Sequence, residues 1–159
     1  MEIAIRERAL IPTTPERLYE HITSVEGFLS FPGRGPIPEL REVTVEASTL
    51  RDAGARTRVI NTDGSRHRQV VRVVGPPRRY EIRIHDLDSA FRFMVSHVDE
   101  AWELTPEGAG TRVLRTFEFA LRSAAWVPLA LPLGHGAFRA AMRRHHRIVE
   151  AWARESTSR

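Results

Sequence analysis

The first residues of the chain alternate between apolar and polar side chains. The apolar positions share one face of an extended segment, and they are Ile3, Ile5, Ala9 and Ile11. A period of two is typical of a β-strand that buries one face. The pattern therefore predicts a first strand over residues 3–11, which Pro12 ends.

The residues after this strand carry the signals of a helix start. Thr14 can cap the N-terminus, Pro15 suits the first helical position, and Glu16 places a negative charge in the first turn. We therefore predict a short helix here and a second short helix over residues 24–31. A turn-rich break over residues 32–39 follows.

Short alternating segments, separated by tight turns, fill the middle of the chain. The six segments predicted as strands are residues 41–47, 55–60, 67–74, 79–86, 91–104 and 111–122. Hairpins joined this closely pair neighbouring strands in antiparallel fashion. With the first strand, they predict one antiparallel sheet of seven strands.

The last part of the chain changes to a helical period. Apolar residues and one histidine recur at spacings of three and four, at Phe138, Ala141, Met142, His145, Ile148, Val149 and Trp152. This pattern predicts one long amphipathic helix over residues 136–155. A single helix is a narrow cover for seven strands, so we expect a cavity between helix and sheet. We predict one domain over residues 1–155 and a disordered tail over residues 156–159.

Composition excludes several classes of chemistry. The chain has 159 residues, no cysteine and, on inspection, no lysine. These absences exclude disulfides, thiolate metal ligands, cysteine nucleophiles and Schiff-base lysines. The net charge of +4 is spread along the chain, so we predict no nucleic-acid partner.

The sequence also argues against membrane insertion. Charges interrupt the first residues at Glu2, Arg6, Glu7 and Arg8. The most apolar stretch, residues 124–133, is too short to span a bilayer and contains two prolines. We expect a cytoplasmic protein with no integral membrane segment.

Two stretches of sequence resemble a known superfamily. The hairpin EAWELTPEGAGTRVLRTFEF, the turn GPPRRYEIRI and the order of elements resemble the START-like superfamily SRPBCC, and most closely its polyketide cyclase/dehydrase branch of small bacterial proteins. The resemblance implies an α+β helix-grip fold, in which a seven-stranded antiparallel sheet wraps around a long C-terminal helix, with two short helices after strand 1. It also implies an internal cavity for an apolar ligand. Members include lipid carriers, hormone receptors, aromatase/cyclases and co-chaperone domains, so the fold does not choose the function.

Arg115 is the first candidate for chemistry. Strand parity places it on the inward face of the last predicted strand, between Val113 and Phe117. A buried guanidinium is costly unless it is paired, and parity places Glu100 and Glu7 on the same face. Arg115 is either an anchor for a carboxylate, enolate or phenolate ligand or half of an internal ion pair. A strand bulge that turns it to solvent is the third alternative.

Histidines supply the other candidates. His145 lies on the apolar stripe of the long helix, where it is either a general acid or base or a core histidine with its hydrogen bonds satisfied. The next residue, His146, should be more exposed. His67 faces Asp86 across a predicted hairpin, as a proton-transfer pair or as a polar end of the sheet.

Strand and helix parity give a list of candidate site residues. The predicted ligand-binding residues are Tyr80, Ile82, Met94, Val98, Trp102, Arg115, Phe117, Phe119, Phe138, Met142, His145 and Val149. The catalytic candidates are Arg115, His145, Glu100, His67 and Asp86. Residues 28–38 and 126–135 are either portals of the cavity or loops packed on the sheet. The sequence carries no HExxH, P-loop or Gly-x-Ser-x-Gly motif, so we predict no metal and no cofactor.

The sequence is compatible with three functions. The first is binding of an apolar small molecule such as a lipid, a polyketide or an isoprenoid. The second is an aromatase/cyclase that acts on a polyketide chain folded in the cavity. The third is an interaction domain with a filled core. The number of polar groups that converge in the cavity separates them. The oligomeric state stays open.

Overall fold

Seven strands form one antiparallel sheet in the computed structural model of the chain. The structure describes residues 1–156 in full and the backbone of Thr157. The strands are β1 (Glu2–Ile11), β2 (Leu40–Ala47), β3 (Arg56–Asn61), β4 (Arg66–Gly75), β5 (Arg79–His85), β6 (Val95–Glu107) and β7 (Gly110–Leu121). Their order is β1-β7-β6-β5-β4-β3-β2, so the first and last strands are neighbours. The predicted seven-stranded antiparallel sheet is confirmed.

Two short helices separate β1 from β2, as predicted. They are α1 (Pro15–Ile22) and α2 (Val25–Leu29). The Thr14 side chain caps α1 by accepting from the N–H of Arg17, and Ser24 caps α2 by accepting from the N–H of Gly27. Each cap satisfies an N–H group that a helix start leaves without an intrahelical partner.

The C-terminal helical segment is longer than its sequence pattern indicates. Helix α4 (Val127–Pro132) leads through a π-helical turn (Leu133–Phe138) into α5 (Arg139–Thr157). The predicted start at residue 136 is therefore wrong. Pro128 lies in the first turn of α4, where its missing N–H costs no hydrogen bond.

Helix α5 extends into the segment predicted as a disordered tail, residues 156–159. Residues 156 and 157 belong to the last turn of α5, and residues 158 and 159 lie outside the described residues.

Among the residues that the structure describes, no helix combines the length and the apolar character needed to cross a membrane.

The strand predicted over residues 91–104 begins late. Residues Phe91–Met94 form a helical turn, α3, and β6 starts at Val95. A register shift between Val95 and His97 marks a bulge in the pairing of β6 with β7. Strand parity therefore fails at Met94, which lies outside the strand altogether.

The hairpin of β4 and β5 also differs from its predicted register. Tyr80 pairs with Val74 and not with Val73. A bulge between Val71 and Val73 then restores the predicted pairing of Val71 with Ile82. The extra residue in β4 thus changes the pairing next to the turn, whereas the pairing of Val71 with Ile82 stays as predicted.

Two clusters of buried side chains lie between sheet and helices. The first includes Leu18 of α1, Tyr80 and Trp102 of the sheet, and Val149 of α5. The second lies nearer the π-helical turn and consists of Ile5, Met94, Val95, Val98, Phe117, Phe119, Leu121, Ala130 and Met142. Six of the predicted ligand-binding residues are buried between helix and sheet, namely Tyr80, Trp102, Phe117, Phe119, Met142 and Val149.

The segment between α2 and β2 gives a matched pair of glycines. Gly33 and Gly35 have φ angles of 59° and 54°. A Cβ on Gly33 would lie 2.4 Å from the carbonyl oxygen of Ile37, whereas a Cβ on Gly35 would have nothing within 4 Å. The two positions therefore share the backbone strain and differ in the steric clash.

We expect Gly35→Ala to lower the free energy of unfolding by about 1–2 kcal/mol, the usual cost of left-handed backbone for a residue with a Cβ. Gly33→Ala should cost clearly more, because the backbone at Ile37 must also move. Urea unfolding of both variants measures the difference. Equal losses would contradict this description of the segment.

Candidate functional site

A cavity of about 180 Å³ lies between the concave face of the sheet, α2 and the start of α5. Strands β3 to β7 form its floor, and residues between α2 and β2, among them Phe31, Ile37 and Pro38, form a wall. Most of the lining side chains are apolar or aromatic. An engineered apolar cavity of about 150 Å³ holds one benzene, so this space suits a ligand of about one or two rings.

Arg115 lies at the floor of the cavity and is paired with Glu100. The Arg115 side chain is only 3 % exposed, and its Nε and Nη2 atoms lie 2.7 Å and 2.6 Å from Oε1 of Glu100. Trp102 Nε1 donates to the same oxygen at 2.7 Å. Of the alternatives left open by the sequence, the structure shows the internal ion pair.

Glu7, the other predicted partner, binds elsewhere. It lies opposite Arg115 in the pairing of β1 with β7. Its carboxylate instead contacts the Nε atoms of Arg139 and Arg143 on α5, at 2.9 Å and 3.1 Å. Strand parity predicts the correct face for Glu7. Its partners, however, are the two arginines of α5 and not Arg115. Glu7 thus ties β1 to α5.

Aromatic rings surround the Arg115 guanidinium. Its central carbon lies 4.3 Å from the ring centre of Trp102, 4.9 Å from that of Phe117 and 5.6 Å from that of Phe31. The negative face of an aromatic ring attracts a cation, and this attraction grows when water is excluded. The rings and Glu100 together stabilise a charge that burial alone would make costly.

His145 continues the hydrogen-bond network from the sheet into the helices. Arg115 Nη1 lies 2.9 Å from His145 Nδ1, and Ser30 Oγ lies 2.7 Å from His145 Nε2. A guanidinium can only donate, so Nδ1 accepts and Nε2 carries the proton. Nε2 then donates to Ser30, whose hydroxyl donates to the carbonyl of Gly27 at 2.6 Å. One tautomer of His145 therefore satisfies the whole chain of hydrogen bonds.

This environment keeps His145 uncharged. Burial, and then the positive charge of Arg115, hold the pKa of His145 well below its usual value of 6.5. A second proton would have to occupy Nδ1, which faces the guanidinium. Both ring nitrogens are engaged in the resting network, which disfavours a role for His145 as a general acid or base.

His146 is buried, contrary to the expectation from the sequence. It is 6 % exposed and lies edge-on to Trp102, with 5.9 Å between ring centres. Burial lowers the pKa of His146 to about 3. The covered face of α5 is thus wider than its apolar stripe, and α1 also contacts this helix, where His21 stacks on Trp152.

The predicted pair of His67 and Asp86 does not form. Asp86 is exposed, has a φ of 52°, and contacts Nδ1 of His85 at 3.2 Å. His67 instead lies between the side-chain amides of Asn61 and Gln69, at 3.4 Å and 3.2 Å. The positive φ turns Asp86 away from the hairpin, and burial lowers the pKa of His67 to about 4.

The structure places eight of the twelve predicted ligand-binding residues at the cavity. These are Tyr80, Ile82, Val98, Trp102, Arg115, Phe117, Phe138 and His145. The other four, Met94, Phe119, Met142 and Val149, do not line it. Met94 and Phe119 border a separate small void near α4, and Met142 and Val149 are packed fully between helix and sheet.

Sequence reasoning missed two groups of lining residues. Asn61 and Gln69 share the inward face with His67, and strand parity could have found them. Phe28, Phe31 and Ile37 lie in α2 or in the segment between α2 and β2, which are too short and irregular to show a period. Residues 28–38 thus supply part of the wall, whereas the lining includes none of residues 126–135.

Comparison with known proteins agrees with this geometry. Residues 2–151 match the sequence model of a family described as polyketide cyclase / dehydrase and lipid transport. No curated protein matches the sequence.

Among the described residues, no group of three or more histidine, aspartate or glutamate side chains is placed to hold a metal ion.

Solved structures share the fold at low sequence identity. Ara h 8.0201 superposes with a TM-score of 0.75 at 15 % identity, covering 98 % of this chain and 99 % of that one. TTHA0849 from Thermus thermophilus gives 0.70 at 19 %, covering 97 % and 99 %. A norcoclaurine synthase point mutant of Thalictrum, in complex with a transition-state analogue, gives 0.70 at 11 %, covering 99 % and 97 %.

The buried ion pair gives a direct prediction. Arg115→Met keeps most of the side-chain volume but leaves the Glu100 carboxylate without its cation. We expect the free energy of unfolding to fall by about 3–5 kcal/mol, as when one partner of a buried pair is removed. Urea unfolding measures the loss.

Arg112→Met is the matched control. Arg112 lies on the same strand and pairs with Glu107 in an exposed position. Exposed pairs contribute little, so this variant should unfold close to the parent protein. Equal stability of both variants and the parent would show that the Arg115 pair does not hold the site together.

Proposed function

The chain belongs to the polyketide cyclase/dehydrase and lipid transport family, and from that premise we propose that it binds a small apolar molecule in the cavity between sheet and C-terminal helix. The observation that carries the proposal is the cavity itself, which side chains line without filling. Protein interiors rarely leave voids larger than a water molecule. A cavity of about 180 Å³ gives up packing contacts that a filled core would have. This loss of contacts is understandable if the space serves a ligand.

The cavity argues against an interaction domain with a filled core. That function predicts bulky side chains across the space between sheet and helix. Here Phe31, Trp102 and Phe117 stand at the walls, and the space between them stays open. The apolar lining favours a ligand that hides hydrocarbon or aromatic surface from water.

Binding also explains the polar groups better than catalysis does. A cyclase needs an acid or base within hydrogen-bond reach of its substrate. Arg115 and His145 are engaged with Glu100, Ser30 and each other. His67 has an amide at each ring nitrogen. These arrangements favour a rigid recognition site over a proton-transfer site.

The size of the cavity narrows the ligand class. Lipid, polyketide and isoprenoid ligands all present apolar surface, but the space suits a compact molecule of one or two rings. We therefore favour a cyclised polyketide or a short isoprenoid over a long-chain lipid. A cytoplasmic location and the absence of a nucleic-acid partner stay predictions of the sequence.

Filling the cavity should abolish binding. Ile84 of β5 lines the cavity and is only half-buried, so Ile84→Phe adds its extra volume to the space itself. We expect naphthalene, followed by its fluorescence in a titration, to bind the parent protein and to bind Ile84→Phe at least about tenfold more weakly.

Val70→Phe is the control, because Val70 lies on β4 between the inward-facing Gln69 and Val71 and so faces away from the cavity. It should bind naphthalene like the parent, and thermal unfolding should show that both variants are folded. Unchanged affinity in Ile84→Phe would place the binding site outside the cavity and overturn the proposed function.

A further inference from the structure

We propose that the cavity selects an uncharged ligand that carries a hydroxyl or N–H group, that this group donates a hydrogen bond to Oε2 of Glu100, and that carboxylate and enolate ligands are excluded. The inference rests on the proposed function, since it concerns which apolar molecule the cavity takes. It also reverses the simplest interpretation of a buried arginine, which is an anchor for an anion.

The two oxygens of the Glu100 carboxylate are used unequally. Oε1 accepts from Arg115 Nε, Arg115 Nη2 and Trp102 Nε1, all within 2.7 Å. No described residue donates to Oε2. Glu100 is 7 % exposed and lines the cavity, so its remaining acceptor capacity is directed to whatever the cavity holds. A carboxylate oxygen accepts hydrogen bonds and cannot donate them, so its ligand partner must be a donor.

Three of the five N–H groups of Arg115 are already engaged within the protein. Its Nε and Nη2 atoms face Glu100, and its Nη1 atom donates to His145. The rings of Trp102 and Phe117 lie against the guanidinium at 4.3 Å and 4.9 Å. An incoming carboxylate would have to share this cation with Glu100, so two carboxylates would face one positive charge.

The charges that line the cavity also oppose an anion. Inside the cavity the charge of Arg115 is already met by Glu100, and a second carboxylate, Asp63, lies exposed at the rim. Hydrogen bonds from Ser65 lower the pKa of Asp63, which keeps it ionised. The two lining histidines, His67 and His145, are held neutral by burial. A negative ligand would thus find no unpaired cation in the cavity and would pass a carboxylate at its rim.

Three ligands with the same two-ring skeleton test the inference. They are 2-naphthol, which donates a hydrogen bond, 2-methylnaphthalene, which replaces the hydroxyl with a methyl group, and 2-naphthoate, which is an anion at neutral pH. Isothermal titration of the intact protein with each ligand gives three dissociation constants. We expect 2-naphthol to bind about tenfold or more tightly than 2-methylnaphthalene, as for a hydrogen bond to a charged group. 2-Naphthoate should bind more weakly than both.

Each outcome has a separate meaning. If 2-naphthoate binds most tightly, or if 2-naphthol binds no better than 2-methylnaphthalene, this inference is wrong while apolar binding stands. If none of the three binds, the proposed function is wrong as well.

A double variant shows whether Glu100 is responsible for the selection. Glu100→Leu combined with Arg115→Met removes both charges, and a buried ion pair replaced by apolar residues often leaves a protein as stable as before. The double variant should keep its affinity for 2-methylnaphthalene and lose the preference for 2-naphthol. Glu107→Leu, on the exposed end of β6, should leave all three affinities unchanged. A preference for 2-naphthol that survives in the double variant would overturn the assignment to Glu100.

Discussion

The ion pair between Arg115 and Glu100 is the constraint on which the rest of the site depends. It joins β6 to β7 inside the sheet, and through His145 and Ser30 it fixes α5 and α2 relative to that sheet. A guanidinium cannot lose its charge in a protein interior, so every group around it must either accept from it or present an aromatic face. Glu100, His145, Trp102 and the two phenylalanines around it meet that demand.

The same network determines what the cavity can do. Satisfying Arg115 fixes the tautomer of His145, engages both of its ring nitrogens and lowers its pKa. Next to Arg115 the floor of the cavity therefore offers one acceptor to which no described residue donates, Oε2 of Glu100, and most of the lining side chains are apolar. Under the proposed function, this arrangement orients the ligand, and it gives the buried charge at the floor of the cavity a role.

Sequence periodicity predicts those parts of the molecule where one element buries one regular face. The strands of the sheet and the inward direction of Arg115 follow from alternation alone. The failures occur where a contact outside the regular pattern intervenes: Trp102 lies against His146, the cations of α5 bind Glu7, and a helical turn removes Met94 from its strand. The wall next to α2 has no period, so only the folded chain reveals it.

The protonation state of His145 tests this account most directly. In ¹H–¹⁵N NMR spectra of the imidazole rings, with His145→Gln to assign the signals, we predict a neutral ring at neutral pH with its proton on Nε2. Because the pKa is lowered, this state should persist at acidic pH values where an exposed histidine is already charged. A proton on Nδ1, or a charged ring at neutral pH, would contradict the hydrogen bond from Arg115 and the network built on it.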